Sequence, residues 1–448
     1  MKKSLFALAA IGAVAGTAQA QSSVTVYGVI DAGYIGSSVR NANNAAAVGG
    51  SIANTQTSYI SDGAESTSRL GFKGNEDLGG GLSAFFTLET RVTPNGSGGL
   101  FNGTGGDGTR QAFVGLKKNG VGQFAFGTQY TTIFNAASVT DPGMLNNMGG
   151  NVIYDKFSGY ATQAQNGQNA TGTTATGAAT NPGTFSMSGM QNNTSFIVRQ
   201  ANMLSFASDT FSGFQGNAYY VLGNNNNTNS TIVTASGGGY TSGNTAHTAW
   251  GLGANYTWQK LLVTANFQQA TDKQAYAMNG TGQYVTGAPI MGGYGGSVNV
   301  GTNDRDNQQY YAATYDFGIL KAYVQYVNRK TLDVNNPNNN IARTAQQIGV
   351  RSFVTPTVEA WASTGTGKYT VATAGTGTNS FVNGQSAIGS NSATFGGYQL
   401  GANYWLSKRT NLYAIYGNQH QSNQVWTSGN NPTSYNMSDY ALGVRHTF

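Results

Sequence analysis

Six charged side chains hold most of the chemistry this chain could perform: Arg69, Lys73, Glu89, Arg91, Arg110 and Arg199. Only 9% of the 448 residues are charged, against about 25% in ordinary soluble chains, so each of these positions matters. Arg69 alternates with Leu70 and Phe72 and shares a face with Lys73, while Glu89 and Arg91 alternate with Phe86 and Leu88. Arg69 with Lys73, and Glu89 with Arg91, thus lie on the wettable faces of their runs, where fixed charges act on ions through their field. Arg110 has the parity of Ala112, Val114 and Leu116 while Phe113 takes the other face, so alternation leaves its direction open. Arg199, by position alone, reads as a strand-start residue.

Covalent and metal chemistry lack parts. The chain has no cysteine, which removes disulfides, thiolate catalysis and cysteine metal sites. Its three histidines, at 247, 420 and 446, are far apart in sequence with no carboxylate at ligand or relay spacing, so neither a metal nor another cofactor is expected. GTGGDG (103–108) matches a dinucleotide pattern only in letters, without a helix to follow, and TGTGKYT (364–370) lacks the first glycine and the hydroxyl after lysine of a phosphate loop. No enzymatic activity is expected. The formal charge is +6, or +4 without Lys2 and Lys3, too thin a balance for a nucleic-acid partner.

The elements that must position these charges are strands. Trp250, Leu252, Ala254, Tyr256 and Trp258 alternate with Gly251, Gly253, Asn255 and Thr257, and Leu261 to Gln268 and Tyr398 to Leu406 keep the same beat. The polar face is small and uncharged, unlike the charged outer face of a soluble sandwich. Tight connections at 75–81, 118–121, 209–213, 259–260, 316–318, 355–357 and 407–410 join such runs. Longer Asn/Gly/Ser/Thr tracts at 36–65, 92–108, 223–246, 271–307 and 366–393 separate them. The count is sixteen strands from about Val24 to Phe448, with short turns at one end and long loops at the other. This layout implies an all-β, antiparallel transmembrane barrel with periplasmic turns and extracellular loops. A sheet edge in hydrocarbon would leave unpaired amides at several kcal/mol each, so the first and last strands are expected to pair. An Arg or Lys facing the bilayer midplane would cost about 2–4 kcal/mol, which favours a lumenal place for Arg69.

Residues 1–20 read as an export leader: Lys2 and Lys3, an apolar run from Leu5 to Val14, and Ala18-Gln19-Ala20 before the cleavage point. Residues 21–448 then form a single barrel domain. A long third loop is expected at about 131–193, with an uncharged low-complexity stretch at 161–183. That stretch reads as an external excursion or as a further narrowing of the lumen.

VTVYGVIDAGY (24–34), SRLGFKGNEDLGGGLSAFFTLE (68–89), RQAFVGL (110–116) and GVRHTF (443–448) together resemble the Gram-negative general porins, most closely those of β-proteobacteria. The resemblance runs over nearly all of 21–448 and thins in the loops. It implies a trimeric sixteen-stranded barrel in the outer membrane, in contact with outer-membrane lipid and lipopolysaccharide, whose third loop folds inward. It also implies that Arg69 and Arg110 stand on an arginine-lined constriction wall with Glu89 beside them and Arg199 as a further member. Two departures matter: Gly127-Thr128-Gln129-Tyr130 lacks an arginine that many relatives carry, and MLNNMGG (144–150) has Asn147 where they carry an acid. Asp141 and Asp155 are the carboxylates that could replace it. The expected function is passive diffusion of small hydrophilic solutes and ions with a mild anion preference. The alternatives are a channel selective for sugars or organic acids, for which Tyr219, Tyr323 and Trp361 are the inward rings, and a surface barrel acting as adhesin or receptor.

Overall fold

Alternating apolar and polar residues leave a strand one greasy face and one wettable face, and the computed structural model shows where each goes. It describes residues 23–43, 51–94, 108–155, 195–227, 240–274, 276–278, 302–334, 337, 340–373, 389–424 and 433–448. The expected leader (1–20) and the low-complexity stretch (161–183) lie outside the described residues, as does most of the GTGGDG tract.

Strand segments β1 (Ser23–Asn43), β2 (Ser51–Asp62), β3 (Arg69–Gly79), β4 (Leu82–Arg91), β5 (Thr109–Lys118) and β6 (Gly122–Tyr130) lead into helix α1 (Thr132–Thr140). After it come β7 (Arg199–Ser208), β8 (Phe214–Asn227), β9 (Tyr240–Trp258), β10 (Leu261–Gln274), β11 (Tyr276–Met278), β12 (Thr302–Asp316) and β13 (Lys321–Asp333). The chain ends with β14 (Asn340–Phe353), β15 (Val358–Thr373), β16 (Gly389–Trp405), β17 (Thr410–Gln424) and β18 (Thr433–Thr447). These segments make sixteen barrel strands. β2 and β3 are two halves of one strand, pairing with the upper and lower parts of β1, and β11 continues β10 against β9. Every pairing is antiparallel, and β1 closes on β18 from Val29↔Thr447 to Asn43↔Thr433, with the Gly28 and Phe448 amides exchanging hydrogen bonds at the seam.

Burial is inverted relative to a soluble protein. On β10, Thr264, Asn266 and Gln268 are buried while Val263 and Ala265 are exposed, and Leu442 on β18 is 58% exposed beside a buried Ala441. The wettable face lines the interior and the greasy face looks out, as hydrocarbon around a water-filled cylinder requires.

The seven tight connections fall where the sequence places them, although β3 continues to Gly79, so the 75–81 turn shrinks to Gly80-Gly81. The long tracts are shorter as loops than the sequence suggests. β8, β9, β10, β12 and β15 all run on into them, because ladder hydrogen bonds persist where both faces turn polar and hydropathy contrast disappears. Between β2 and β3, residues 63–68 leave the wall and are tied to Asp31, whose carboxylate accepts from the Ser66 amide at 2.6 Å and whose own amide donates to Ser68 Oγ at 2.9 Å.

Candidate functional site: the arginine-lined constriction

The third loop enters the barrel at once. Thr131 caps α1 by accepting from the Phe134 amide, and α1 packs its Ile133, Ala136 and Ala137 face against a buried cluster that includes Tyr310, Ala312 and Val327 on the opposite wall. Residues 141–155 then run along β14 to β18, held by glutamine and acid side chains of the lumenal face. Asn146 and Gln399 exchange hydrogen bonds at 2.6 and 2.9 Å, Gly149 donates to Asp439 Oδ2 at 2.8 Å, and Val152 donates to Gln347 Oε1 at 3.1 Å. The approach is close enough to demand glycine on both sides. Gly150 has φ +92°, and a Cβ at Gly417 would overlap the Gly149 carbonyl.

Against the loop stands the basic wall, and it gathers the residues singled out above. Glu89 is its hub: Arg110 Nε donates to Oε1 at 2.6 Å, Tyr27 OH donates to Oε2 at 3.1 Å, and Arg69 Nη1 lies 4.0 Å from Oε1. Arg69 also donates to Ser66 Oγ at 2.7 Å, and its side chain keeps 22% exposure while Glu89 and Arg110 are buried. Arg110 donates from Nη2 to Tyr130 OH at 2.7 Å, and Arg199 stands over the Tyr130 ring with its guanidinium carbon 5.4 Å from the centroid. Arg91 is cross-strand from Arg69. Lys73, lower on β3, lies over the Tyr27 ring at 5.4 Å.

The direction of Arg110, open from alternation, has a structural cause. Glu89 pairs with Gln111 and Thr90 with Thr109, so Arg110 is the extra residue of a β-bulge. A bulge shifts the pleat by one, which sends Arg110 inward although Val114 and Leu116, of the same parity, face out.

The two acids considered as substitutes in the loop do not face this wall. Asp141 accepts from the Leu145 amide, Asn151 and Gln347 at 2.9–3.0 Å, and burial pushes its carboxyl above the ordinary carboxylate range against those donors. Asp155 is engaged by Arg343 at 3.1 Å and by Gln419 at 2.9 Å on the far side. Asn147 bonds the carbonyls of Gly63 and Ala64 and Thr67 Oγ1, which pins the loop to the break between β2 and β3.

Sequence reasoning missed three features. Arg445, inward on β18, bears electrostatically on Arg69 and adds to the wall; its alternation with Leu442 and Val444 was a usable signal. Tyr130, Phe134, Tyr154, Phe196 and Tyr310 form a chain of ring contacts with centroids 4.3–6.4 Å apart across the lumen. Burial raises the Tyr154 phenol above its ordinary value, with Arg199, Arg110 and Arg69 only partly offsetting it. Finally, His247 Nδ1 lies 2.7 Å from Asp272 Oδ1, so one histidine does have a carboxylate partner, supplied by hairpin register. No grouping of His, Asp and Glu able to hold a metal occurs among the described residues. Tyr219, Tyr323 and Trp361 are buried inward, as phase predicted.

A closed sixteen-strand barrel with lipid-facing apolar residues, a loop folded into its lumen and arginines opposite that loop defines a transmembrane channel of the outer-membrane type. The family model for Gram-negative porins matches residues 7–424, and the chain belongs to that family, whose place is the outer membrane. An outer membrane porin protein of Bordetella pertussis is 34% identical over 186 residues, covering 37% of this chain and 46% of that protein. Outer membrane porin protein 32 of Delftia acidovorans is 45% identical over 92 residues, covering 20% and 23%. The chain thus spans less than half the length of these relatives in alignment. Among solved structures, the anion-selective porin from Comamonas acidovorans superposes with a TM-score of 0.57 at 19% identity, over 95% of this chain and all of that one, which speaks to fold.

Proposed function

We propose that the barrel is a water-filled channel through which small hydrophilic solutes and ions diffuse passively, with a mild preference for anions. One observation carries this reading: the charge on the wall that stands against the infolded loop. Arg69, Arg91, Arg110, Arg199 and Arg445 face Asp31, Asp62, Glu65 and Glu89 on the same stretch of wall, five cationic groups against four anionic ones. Arg110 is largely neutralised by Glu89, whereas Arg69 remains partly open to the lumen. A near-balanced field in a low-dielectric tube biases ions of one sign without trapping them. Polar, uncharged glutamine, asparagine and threonine elsewhere on the inner face hydrogen-bond water without deep wells.

Three identical barrels forming a trimer would cover apolar outward wall such as Ala84, Phe86 and Leu88. The remaining wall would contact outer-membrane lipid and lipopolysaccharide. A second reading, a channel that also selects sugars or organic acids by stacking, would rest on the partly exposed rings Tyr130, Phe134 and Tyr154, because Phe196 and Tyr310 are fully buried.

Purified channel in planar bilayers under a salt gradient tests the main reading. It expects a stable open conductance with a reversal potential of anion sign and no saturating block by sugars. Cation selectivity, or no conductance from a folded barrel, overturns it; block by a sugar or organic acid at low concentration favours the second reading. Heat-resistant migration of the unboiled protein tests the trimer.

A further inference from the structure

Where the third loop rejoins the wall, a histidine spans the space between two strands. β7 pairs with β8 from Met203↔Val221 to Ala207↔Asn217, and just above that ladder Asn202 takes a left-handed φ of +52°. Gln200, higher still, keeps its rung with Gln129 on β6. On the far side of β8, His247 of β9 is paired with Gly223, which has no side chain to stand in its way. The imidazole reaches past it, with Nε2 2.9 Å from Gln200 Oε1 on β7 and Nδ1 2.7 Å from Asp272 Oδ1 on β10. Its side chain is 20% exposed on the inner face, so lumenal water can deliver or remove a proton.

This pocket fits the ring in both of its charge states. An ionised carboxylate only accepts, so the Nδ1 that faces Asp272 carries hydrogen in either state. The other nitrogen faces a primary amide, which can present either end. With the Gln200 carbonyl toward the ring, both nitrogens donate and the ring is an imidazolium; with the amide turned over, its NH2 donates to the ring, which is then neutral. Gln200 is buried and its amide nitrogen makes no hydrogen bond, so the amide is free to turn. The surrounding charge is acidic. Asp272 is cross-strand from Asp304, both buried on the inner face, and like charges directly opposite repel. Asp272 Oδ2 is buried without a hydrogen bond. Asp333 is paired with Asp304 by register, and Asp306, two residues from Asp304, is already held by Arg329. From β7 the nearest charge is Arg199, next to Gln200 in the chain, while Lys273 is exposed on the outer face. β8 and α1 carry no acid or base beyond the phenols Tyr219 and Tyr220, and Tyr219 lies four residues below Gly223.

We propose that His247 is a selectivity-determining residue of the channel, and that the pH of the lumen sets its contribution. The inference rests on the diffusion reading and adds a regulator to it. Unprotonated, His247 leaves the His247–Asp272 pair with one net negative charge on the lumenal wall. Protonated, it cancels that charge, and a wall that is otherwise near balance becomes more positive. Because the amide turns, the bridge from β9 to β7 persists in both states, so the proton alters the field and leaves the loop in place. Anion preference therefore rises as the pH falls through about 8 to 5, the interval in which histidine changes charge.

Reversal potentials of the purified channel in a salt gradient, taken at about pH 8 and about pH 5 for wild type and His247→Gln, test it. Cancelling one negative charge on a low-dielectric wall changes the anion-to-cation permeability ratio by roughly threefold. Between the two pH values the wild-type ratio is therefore expected to rise about threefold more than that of the variant, in which every other lumenal group still titrates. His247→Lys, cationic throughout, is expected to show the higher ratio already at the upper pH. In a His420→Gln/His446→Gln background His247 is the sole histidine, and its ring resonances in the folded barrel are expected to shift with pH in step with the ratio. An equal pH response in wild type and His247→Gln, or a ring signal that does not move across the interval, overturns the assignment. Wild-type conductance at the upper pH reads the channel itself: an open channel without the His247-dependent response counts against this inference alone, whereas a folded barrel that does not conduct counts against the diffusion reading.

Discussion

Replacing Arg69 with alanine isolates the lumenal field from the structure that holds it. The arginine keeps 22% of its side chain exposed, and its loss leaves Glu89 with its hydrogen bonds from Arg110 and Tyr27, so the wall retains its buried contacts. An ion passing about 8 Å from the guanidinium, at an effective dielectric of about 40, interacts with it by about 1 kcal/mol, which a Debye length of about 10 Å at 0.1 M salt cuts to about 0.5 kcal/mol. The effect has opposite sign for anion and cation, so the permeability ratio changes by about 1 kcal/mol, or roughly fivefold, toward cations. Because the wall starts near charge balance, that shift is expected to abolish or reverse the anion preference. Arg69→Lys, which keeps the charge and loses the planar fork, is expected to preserve it. The assay is the reversal potential of single channels in a salt gradient. A ratio unchanged in Arg69→Ala, or one that falls equally in Arg69→Lys, would refute the electrostatic reasoning.

Glu89→Gln is expected to act in the opposite direction, raising anion preference by a similar factor in the same assay. It is also expected to lower barrel stability by about 3–5 kcal/mol, measured by denaturant unfolding, because the buried Arg110 loses its counter-charge. Gly417→Val should push the 149–150 backbone off β17 and so unseat the loop from one wall. The expected result is a larger single-channel conductance and a higher size limit for sugars in liposome swelling, with the far-ultraviolet strand signal retained.

The barrel itself was readable because its selection rule acts on every second residue. Trp250 to Trp258 and Tyr440 to Phe448 declare the lipid face without reference to anything distant, and seven turns follow from where the beat breaks. What depended on phase being interrupted could not be read. Arg110 sits on a bulge, where one extra residue reverses the face, and nothing in RQAFVGL marks that position. Partners set by register were equally hidden: His247 and Asp272 stand 25 apart and meet only because the 259–260 turn fixes their rung. The path of the loop was invisible for a different reason. Gln347, Gln399 and Gln419 look like ordinary wettable wall residues in sequence, and only their contacts show that they hold residues 146–155 in place. The extended upper strands lacked the apolar half of the pattern, so Asn- and Thr-rich ladders passed for loops.

The chain contains no cysteine, which makes a single-cysteine scan of positions 263 to 268 a direct reading of which way the wall faces. With a fluorophore attached to each cysteine before refolding and a lipid-phase collisional quencher, labels at 264, 266 and 268, on the buried inner face, are expected to escape the quencher. Those at 263, 265 and 267 are expected to be quenched from the bilayer. The reversed pattern, or no alternation at all, would contradict a barrel whose interior carries water and whose exterior meets hydrocarbon.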